Sequence, residues 1–223
     1  MHIITALEQQ KRNKERVNVH LDGEFAFGLN LLDAAALRTG QQLSDAQIAE
    51  LRDKDAVVKA VDRAVRFLSY RPRSIQEVRQ NLAKHDDPPG VIDAAIERLT
   101  QLGYVNDEQF ARFWVENRDT FKPRGAMALR RELRQKGVAN ATVDQVLDEL
   151  LDEDDAAYRA AQKRTQRYAG QSKQVFKHKL SAFLQRRGFS YRQSAQAIDQ
   201  LIEELETADP PFFASAHAAP TNP

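Results

Sequence analysis

The chain has 223 residues, of which 42% are hydrophobic and 29% charged, and its formal net charge is +1. The absence of cysteine excludes disulfides, thiolate nucleophiles and cysteine-ligated metal centres, and it fits a reducing compartment. No apolar run approaches the roughly 18 residues of a membrane span, and the first residues do not resemble a secretory signal, so we expect a cytoplasmic protein.

Residues 1–54 predict a small segment that contains a β-hairpin. Apolar and polar residues alternate over 17–21 and again over 25–29, and Asp22-Gly23 lies between the two runs. Alternation on both sides of Asp-Gly is the strongest short-range signal for a hairpin. We interpret this segment as a folding cap rather than a binding module. Further elements are expected as a strand over 3–7 and as short helices over 31–38 and 44–51.

The remainder of the chain repeats itself at an interval of 51 residues. The apolar sets that recur are Val78, Leu129 and Leu180; Leu82, Leu133 and Leu184; Ile96, Leu147 and Ile198; and Leu99, Leu150 and Leu201. A fixed period in the range of roughly 20–50 residues indicates stacked units that bind partners over a surface. We therefore predict a mainly α-helical fold with three tandem tri-helical, helix-turn-helix-like modules. The expected boundaries are 55–105, 106–153 and 154–205, with a disordered tail over 206–223.

Helix boundary signals support this division. Ser74 with Glu77 three residues later forms a capping-box pattern, and Asn140 is expected to be an N-cap. Gly137 and Gly188, one period apart, are expected to end helices because the residue after a helix often needs a left-handed conformation.

The small net charge conceals strong segregation. Seven acidic residues and no Lys or Arg lie between Asp144 and Asp155, whereas Ala156 to Arg192 holds ten Lys or Arg and no carboxylate. Such asymmetry indicates a surface for phosphates or for an acidic protein face. The alternative is that these charged side chains lie on solvent-exposed helix faces and bind no partner.

Three groups of cations are the candidate binding residues. Arg130 and Arg134 are four residues apart and therefore lie on the same side of a helix. Glu132 is the only acidic residue among the cations of 130–136. Spread over all three modules, these arginines favour contact with a polymer backbone over base reading. The candidates are Arg71, Arg73, Arg79, Arg118, Lys122, Arg124, Arg130, Arg131, Arg134, Lys163, Arg164, Arg167, Lys173, Lys177, Lys179, Arg186 and Arg187.

The aromatic side chains are interpreted mainly as core residues, although they could stack on bases. Tyr70 and Phe121 lie beside predicted turns and are the expected exceptions. The other members of this set are Phe67, Tyr104, Phe110, Phe113, Trp114 and Phe189.

Three linked motifs in the second predicted module resemble a known family. The segments GYVNDEQFARFWVENR (103–118), KPRG (122–125) and LRRELRQKGV (129–138), followed by a third helical copy, resemble the bacterial RecX regulatory proteins. The resemblance implies an elongated tandem of tri-helical modules that binds the RecA filament in its groove and restrains its ATP hydrolysis and strand exchange. It also implies a role in DNA repair, DNA recombination and the SOS response, with sequence-nonspecific DNA contact.

Other classes of function find less support in the sequence. The five histidines show no metal-ligand spacing, phosphate-binding and nucleophile-elbow motifs are missing, and no cofactor is expected. The acidic run Asp152–Asp155 is interpreted as a solvated linker rather than a metal site. Two alternatives stay open: a sequence-nonspecific DNA-binding protein that acts without RecA, and a transcription factor, which would favour a defined duplex site. No heptad seam is present, so a monomer is expected.

Overall fold

The computed structural model describes residues 1–213, and in that range it forms four strands and ten α-helices. The strands are β1 (His2–Gln9), β2 (Arg16–Leu21), β3 (Glu24–Asn30) and β4 (Gln42–Leu43). The helices are α1 (Leu31–Ala34), α2 (Asp45–Leu68), α3 (Ile75–Ala83), α4 (Pro89–Gln101), α5 (Asp107–Phe121), α6 (Ala126–Gln135), α7 (Asn140–Leu150), α8 (Glu153–Gln162), α9 (Lys173–Arg186) and α10 (Tyr191–Ala208). The prediction of a mainly helical fold is confirmed. None of the helices in the described range is long and apolar enough to cross a bilayer.

The chain divides into two compact units, of which the first is Met1–Asn106 and the second begins at Asp107. The first unit opens with an antiparallel sheet of order β3-β2-β1-β4. Asp22 and Gly23 both have positive φ, as a two-residue hairpin turn between right-twisted strands requires, so the predicted hairpin is confirmed. The first strand is also confirmed and runs somewhat longer than expected.

A single long helix, α2, replaces two predicted elements. The sequence predicts a brief helix over 44–51 and a separate one from Asp55, but α2 is continuous through 45–68. Its N-terminal part contributes Ile48 to the core under the sheet, and Ala60 and Ala64 pack in the next core. The prediction of a break was wrong because the polar run 52–55 contains no helix breaker. The short helix α1 also ends at Ala34 rather than at 38.

Three helical cores follow one another along the chain, each built by three helices. The first module comprises α2, α3 and α4, the second α5, α6 and α7, and the third α8, α9 and α10. Eleven of the twelve recurring apolar positions are buried, and Leu150 is partly buried. The interval of 51 residues therefore reports equivalent positions in three successive cores.

The third module departs from the other two. Ser194 occupies the place of an aliphatic residue, is 1% exposed, and its hydroxyl donates to the Ser190 carbonyl oxygen at 2.8 Å. Aromatic rings fill this core, with Phe176 in edge contact with Tyr168, Phe212 and Phe213.

The predicted disorder from residue 206 was wrong for the part that the structure describes. Helix α10 continues to Ala208, and a 3-10 turn over Pro210–Phe212 buries Phe212 to 4% exposure. The apolar pair at 212–213 overrides the proline-rich composition on which the prediction rested. The rest of that prediction, 214–223, lies outside the described residues.

The helix boundary signals are confirmed with one exception. Ser74 and Glu77 form the reciprocal capping box, and Gly137 and Gly188 both have positive φ. Asn140 is not an N-cap, because Ala139 holds that position and α7 begins at Asn140.

The imidazole of His2 links β1 to the hairpin turn and to the start of α2. These contacts lead us to expect that the stability of the first unit depends on pH. The imidazole lies 2.7 Å from an Asp22 carboxylate oxygen and 3.1 Å from one of Asp45, and these hydrogen bonds raise its pKa above 6.5. Because the folded-state pKa is raised, this contribution is complete below about pH 6.5 and is lost as the pH rises through the folded value. We expect His2→Gln to lower the melting temperature at about pH 5.5 and to have little effect at about pH 9. Thermal unfolding followed by circular dichroism measures this, and a difference between the two proteins that is independent of pH would contradict it.

Candidate functional site

Helix α6 presents a cationic face opposite its buried face. Leu129 and Leu133 are fully buried in the second module, whereas Arg131 and Arg134 are exposed on the other side of the helix. The side chains at 130, 131 and 134 share one face because residues three and four apart are neighbours on a helix. The predicted stripe therefore exists.

This face forms one wall of a groove whose other wall is the end of α9. The groove has a volume of about 700 Å³ and lies within the second unit, between the second and third modules. Within residues 1–213 its lining contains no carboxylate and no aromatic ring, and it consists of Met127, Ala128, Arg130, Arg131, Arg134, Gln135, Gln185, Arg186 and Gly188. We refer to this surface as the α6–α9 groove.

A close approach of two glycines holds the walls of the groove together. The Gly125 amide donates to the Arg187 carbonyl oxygen at 3.0 Å. A Cβ on Gly125 would lie 2.7 Å from the Phe189 nitrogen and closer still to the Gly188 carbonyl, and one on Gly188 would lie 2.6 Å from the Ala128 nitrogen. Neither position has room for a side chain, so the backbones of the two modules are in direct contact.

Polar contacts reinforce this junction. The Ala126 amide donates to a Glu153 carboxylate oxygen at 2.9 Å, and Arg159 forms a salt bridge with Asp119 at 2.6 Å. Leu151 packs against the cores of both modules. The α6–α9 groove is therefore built on a fixed arrangement of the second and third modules.

Two of the arginines in the groove have no polar side-chain partner within residues 1–213, namely Arg131 and Arg186. Arg130 is paired with Asp144 at 2.7 Å, and the Arg134 Nε donates to the Asn140 side-chain oxygen at 2.7 Å. Both contacts, an ion pair and a hydrogen bond to a neutral amide, are exposed, and exposed contacts of this kind contribute little free energy. All four arginines can therefore turn toward a ligand.

Other predicted cations of the second module are held inside it. Glu132 lies on α6 but points toward α5, where it accepts hydrogen bonds from Arg118 Nε at 2.9 Å and Trp114 Nε1 at 2.7 Å. Its other oxygen pairs with Arg124 at 2.9 Å. The sequence suggested that Glu132 dilutes the cationic stripe, but the structure shows it as an internal partner of two of the predicted residues. Lys122 is exposed.

The predicted cations of the first module are also engaged internally. Arg71 donates twice to the Glu77 carboxylate, and Arg79 pairs with Asp93. The Arg73 guanidinium lies 4.1 Å from the centre of the Phe67 ring, and burial is the main cause that lowers its pKa. The structure thus gives each of these three arginines a contact within the first module.

In the third module the predicted cations are distributed over several contacts. Lys173 pairs with Glu206 and Lys177 with Asp199, while Lys179 donates to Gln171. Arg164 and Arg187 lie over the Phe183 ring at 4.6 and 4.7 Å. Burial, together with the charges of Arg124 and Arg164, lowers the pKa of Arg187. Lys163 approaches the Thr120 carbonyl, and Arg167 is exposed.

The aromatic residues follow the core interpretation in part. Tyr70 and Phe121 are 84% and 69% exposed, as expected, and Phe110 and Phe189 are buried. Trp114 and Phe67 are partly buried. Tyr104 and Phe113 are exposed, so the core interpretation was wrong for these two.

The acidic run has a structural role. Asp152 caps α8 by accepting from the amides of Asp154 and Asp155, and Asp155 also pairs with Arg159. No cluster of three or more potential metal ligands exists among the described side chains.

Sequence reasoning missed the uncharged lining of the groove. Met127, Gln135, Gln185 and Gly188 come from two modules, and no local pattern joins them. The one signal in the sequence was the position of Met127 on α6, two residues before Leu129 and therefore off the buried face, and Met127 is 67% exposed.

Family models match four consecutive stretches of the chain. They describe the regulatory protein RecX N-terminal domain at residues 2–44 and the first, second and third three-helix domains of RecX at 60–99, 106–147 and 152–198. Together these stretches cover most of the chain and correspond to the sheet and the three helical modules.

Curated relatives and solved structures agree with the family models. Regulatory protein RecX of Bacillus subtilis (strain 168) is 36% identical over 210 residues, covering 92% of this chain and 79% of that protein. Regulatory protein RecX of Bacillus pumilus (strain SAFR-032) is 34% identical over 208 residues, with coverages of 92% and 78%. A crystal structure of regulatory protein RecX superposes with a TM-score of 0.73 at 27% identity, covering 92% of this chain and all of that one. RecX from Lactobacillus salivarius gives 0.59 at 26% identity over 69% of this chain and 99% of that one. The sheet, the three modules and these similarities show that the chain belongs to the RecX family of regulatory proteins.

Proposed function

We propose that this chain binds the RecA recombinase filament on DNA and restrains its ATP hydrolysis and strand exchange. Membership of a family of regulatory proteins supports a protein target. The observation that carries the proposal is the α6–α9 groove, where arginines of two successive modules line one cavity to which no described residue contributes a carboxylate. Such a site attracts an anionic partner because its cations reinforce one another.

The proposal extends to the setting in which the chain acts. It acts in the cytoplasm, as a monomer and without a cofactor, in DNA repair, recombination and the SOS response. Contact with DNA in the filament is sequence-nonspecific, since cations spread over successive modules suit contacts to phosphates, which carry no sequence information. Successive modules that each contribute weak contacts raise the effective affinity for a polymeric target.

Charge reversal in the groove tests the proposal. We expect the double variant Arg131→Glu, Arg186→Glu to inhibit the RecA ATPase on single-stranded DNA about tenfold less potently, because two charge-assisted contacts become repulsive. Neither side chain has a polar partner in the described structure, so the variant should fold. The matched control is Lys11→Glu, Arg12→Glu, which reverses two exposed charges in the β1–β2 loop and should inhibit like the parent protein.

The concentration at which inhibition occurs separates the proposal from simple coating of DNA. A regulator of the filament acts well below the amount that saturates the DNA, whereas a DNA-coating protein inhibits only near saturation. Undiminished inhibition by the groove variant, or inhibition only at saturating amounts, would rule out the proposed mode of action.

A further inference from the structure

The lining of the α6–α9 groove combines charge with an apolar floor. Met127 is 67% exposed at the start of α6, and Ala128 and Gly188 leave the floor beside it without polar side chains. Four arginines and two glutamine amides, Gln135 and Gln185, complete the lining. An exposed methionine one helical turn before Arg130 and Arg131 is an adaptable surface for an apolar side chain.

The groove does not match the requirements of a nucleic-acid strand. Proteins that hold single-stranded DNA without sequence preference stack its bases on aromatic rings, and no aromatic side chain of the described part of the chain lines this groove. A phosphate backbone alone would use the arginines but would leave Met127 against a charged polymer. The cations fit both classes of ligand, whereas the apolar floor fits only one of them.

We infer that the α6–α9 groove binds a short acidic peptide segment of the partner protein that carries an apolar side chain between its carboxylates. The apolar side chain contacts Met127, and the flanking carboxylates accept hydrogen bonds from Arg131 and Arg186, which can each donate in a bidentate fork. Gln135 and Gln185 can donate to and accept from the main chain of the peptide. This inference deepens the proposed function, since it assigns the groove to the protein component of the filament.

A labelled peptide tests the inference without RecA. The probe is a fluorescein-labelled peptide in which a leucine–phenylalanine pair is flanked on each side by three glutamates, and binding is followed by fluorescence anisotropy. The matched probe replaces the pair with two serines and keeps the charge. We expect the apolar probe to bind about tenfold more tightly than the serine probe, because burial of apolar surface adds to charge attraction.

Variants of the chain separate the contribution of apolar contact to peptide affinity from that of charge attraction. Met127→Ser should remove the preference for the apolar probe, and Arg131→Glu should weaken both probes about tenfold. Leu32→Ser, which removes an exposed side chain of the first unit, and Arg12→Glu are the matched controls and should bind like the parent protein. Circular dichroism and Trp114 fluorescence verify that each variant is folded.

Two results would overturn the inference. The first is equal affinity for the two probes, which would show that the groove recognises charge alone. The second is an oligothymidylate of about 15 nucleotides that displaces the peptide and loses affinity in Met127→Ser, which would make nucleic acid the occupant. Because RecA is absent, peptide binding can succeed while inhibition of the ATPase fails, so the two proposals can fail independently.

Discussion

Gly125→Ala is expected to lower the free energy of unfolding of the second unit by about 3 kcal/mol, the upper end of the range for overpacking. A Cβ at this position would collide with the Gly188 carbonyl and lie 2.7 Å from the Phe189 nitrogen. Both are backbone atoms at the start of the junction with α10, and a backbone cannot move aside as a flexible side chain can. The collision also opposes the 3.0 Å hydrogen bond from the Gly125 amide to Arg187.

Urea unfolding followed by the fluorescence of Trp114, the single tryptophan of the chain, measures this effect. With a slope of 1–3 kcal/mol per molar urea, the midpoint should fall by roughly 1 M or more. Gly90→Ala is the matched control, because no atom lies within 4 Å of its added Cβ and the residue sits in α4. Because Gly90 lies in the first unit, its unfolding is followed by circular dichroism, and the substitution should leave the free energy of unfolding unchanged or raise it by up to about 1 kcal/mol. If the two variants unfold at the same urea concentration, the glycine contact does not hold the modules together.

Local sequence signals predicted much of this fold because each of them acts within one element or one period. Asp22-Gly23 defines the hairpin, the Ser74–Glu77 pair defines a helix start, and the interval of 51 residues selects positions that are buried in three cores. The failures arise because a local signal does not report burial by another element of the chain. Composition at 206–213 indicated disorder, but burial of Phe212 in the core of the third module decided the outcome.

The candidate site was predicted only in part because charge partners are set by tertiary structure. The stripe of Arg130, Arg131 and Arg134 follows from helical spacing alone, and it exists. That Arg186 lies opposite it depends on the glycine contact between modules, which no pattern in the sequence encodes. In the same way, Arg71 and Arg79 look identical to free cations in sequence but have carboxylates within reach in the fold.

Removal of Glu132 gives the second large effect that we expect. Its carboxylate is 14% exposed and serves Trp114, Arg118 and Arg124, so Glu132→Ala leaves one indole and two guanidinium groups without their acceptor. Breaking a fully buried ion pair in this way costs about 3–5 kcal/mol, and the partial exposure of both arginines reduces our expectation to about 2–3 kcal/mol.

Glu132→Gln separates charge from geometry at this position. Its amide oxygen still accepts one hydrogen bond, so it should lose less stability than Glu132→Ala, with an unfolding midpoint between those of the alanine variant and the parent protein.

Glu50→Ala is the matched control, because it breaks an exposed Glu50–Lys54 pair on a helix and should change the stability by no more than about 0.5 kcal/mol. Urea titration measures all three variants, followed by Trp114 fluorescence for the two changes at Glu132 and by circular dichroism for Glu50→Ala in the first unit. Since Glu132 faces away from the α6–α9 groove, the folded fraction of Glu132→Ala should still inhibit the RecA ATPase. If the midpoint of Glu132→Ala equals that of Glu50→Ala, then water replaces Glu132 as the acceptor for Trp114, Arg118 and Arg124 at no cost, and the expectation is wrong.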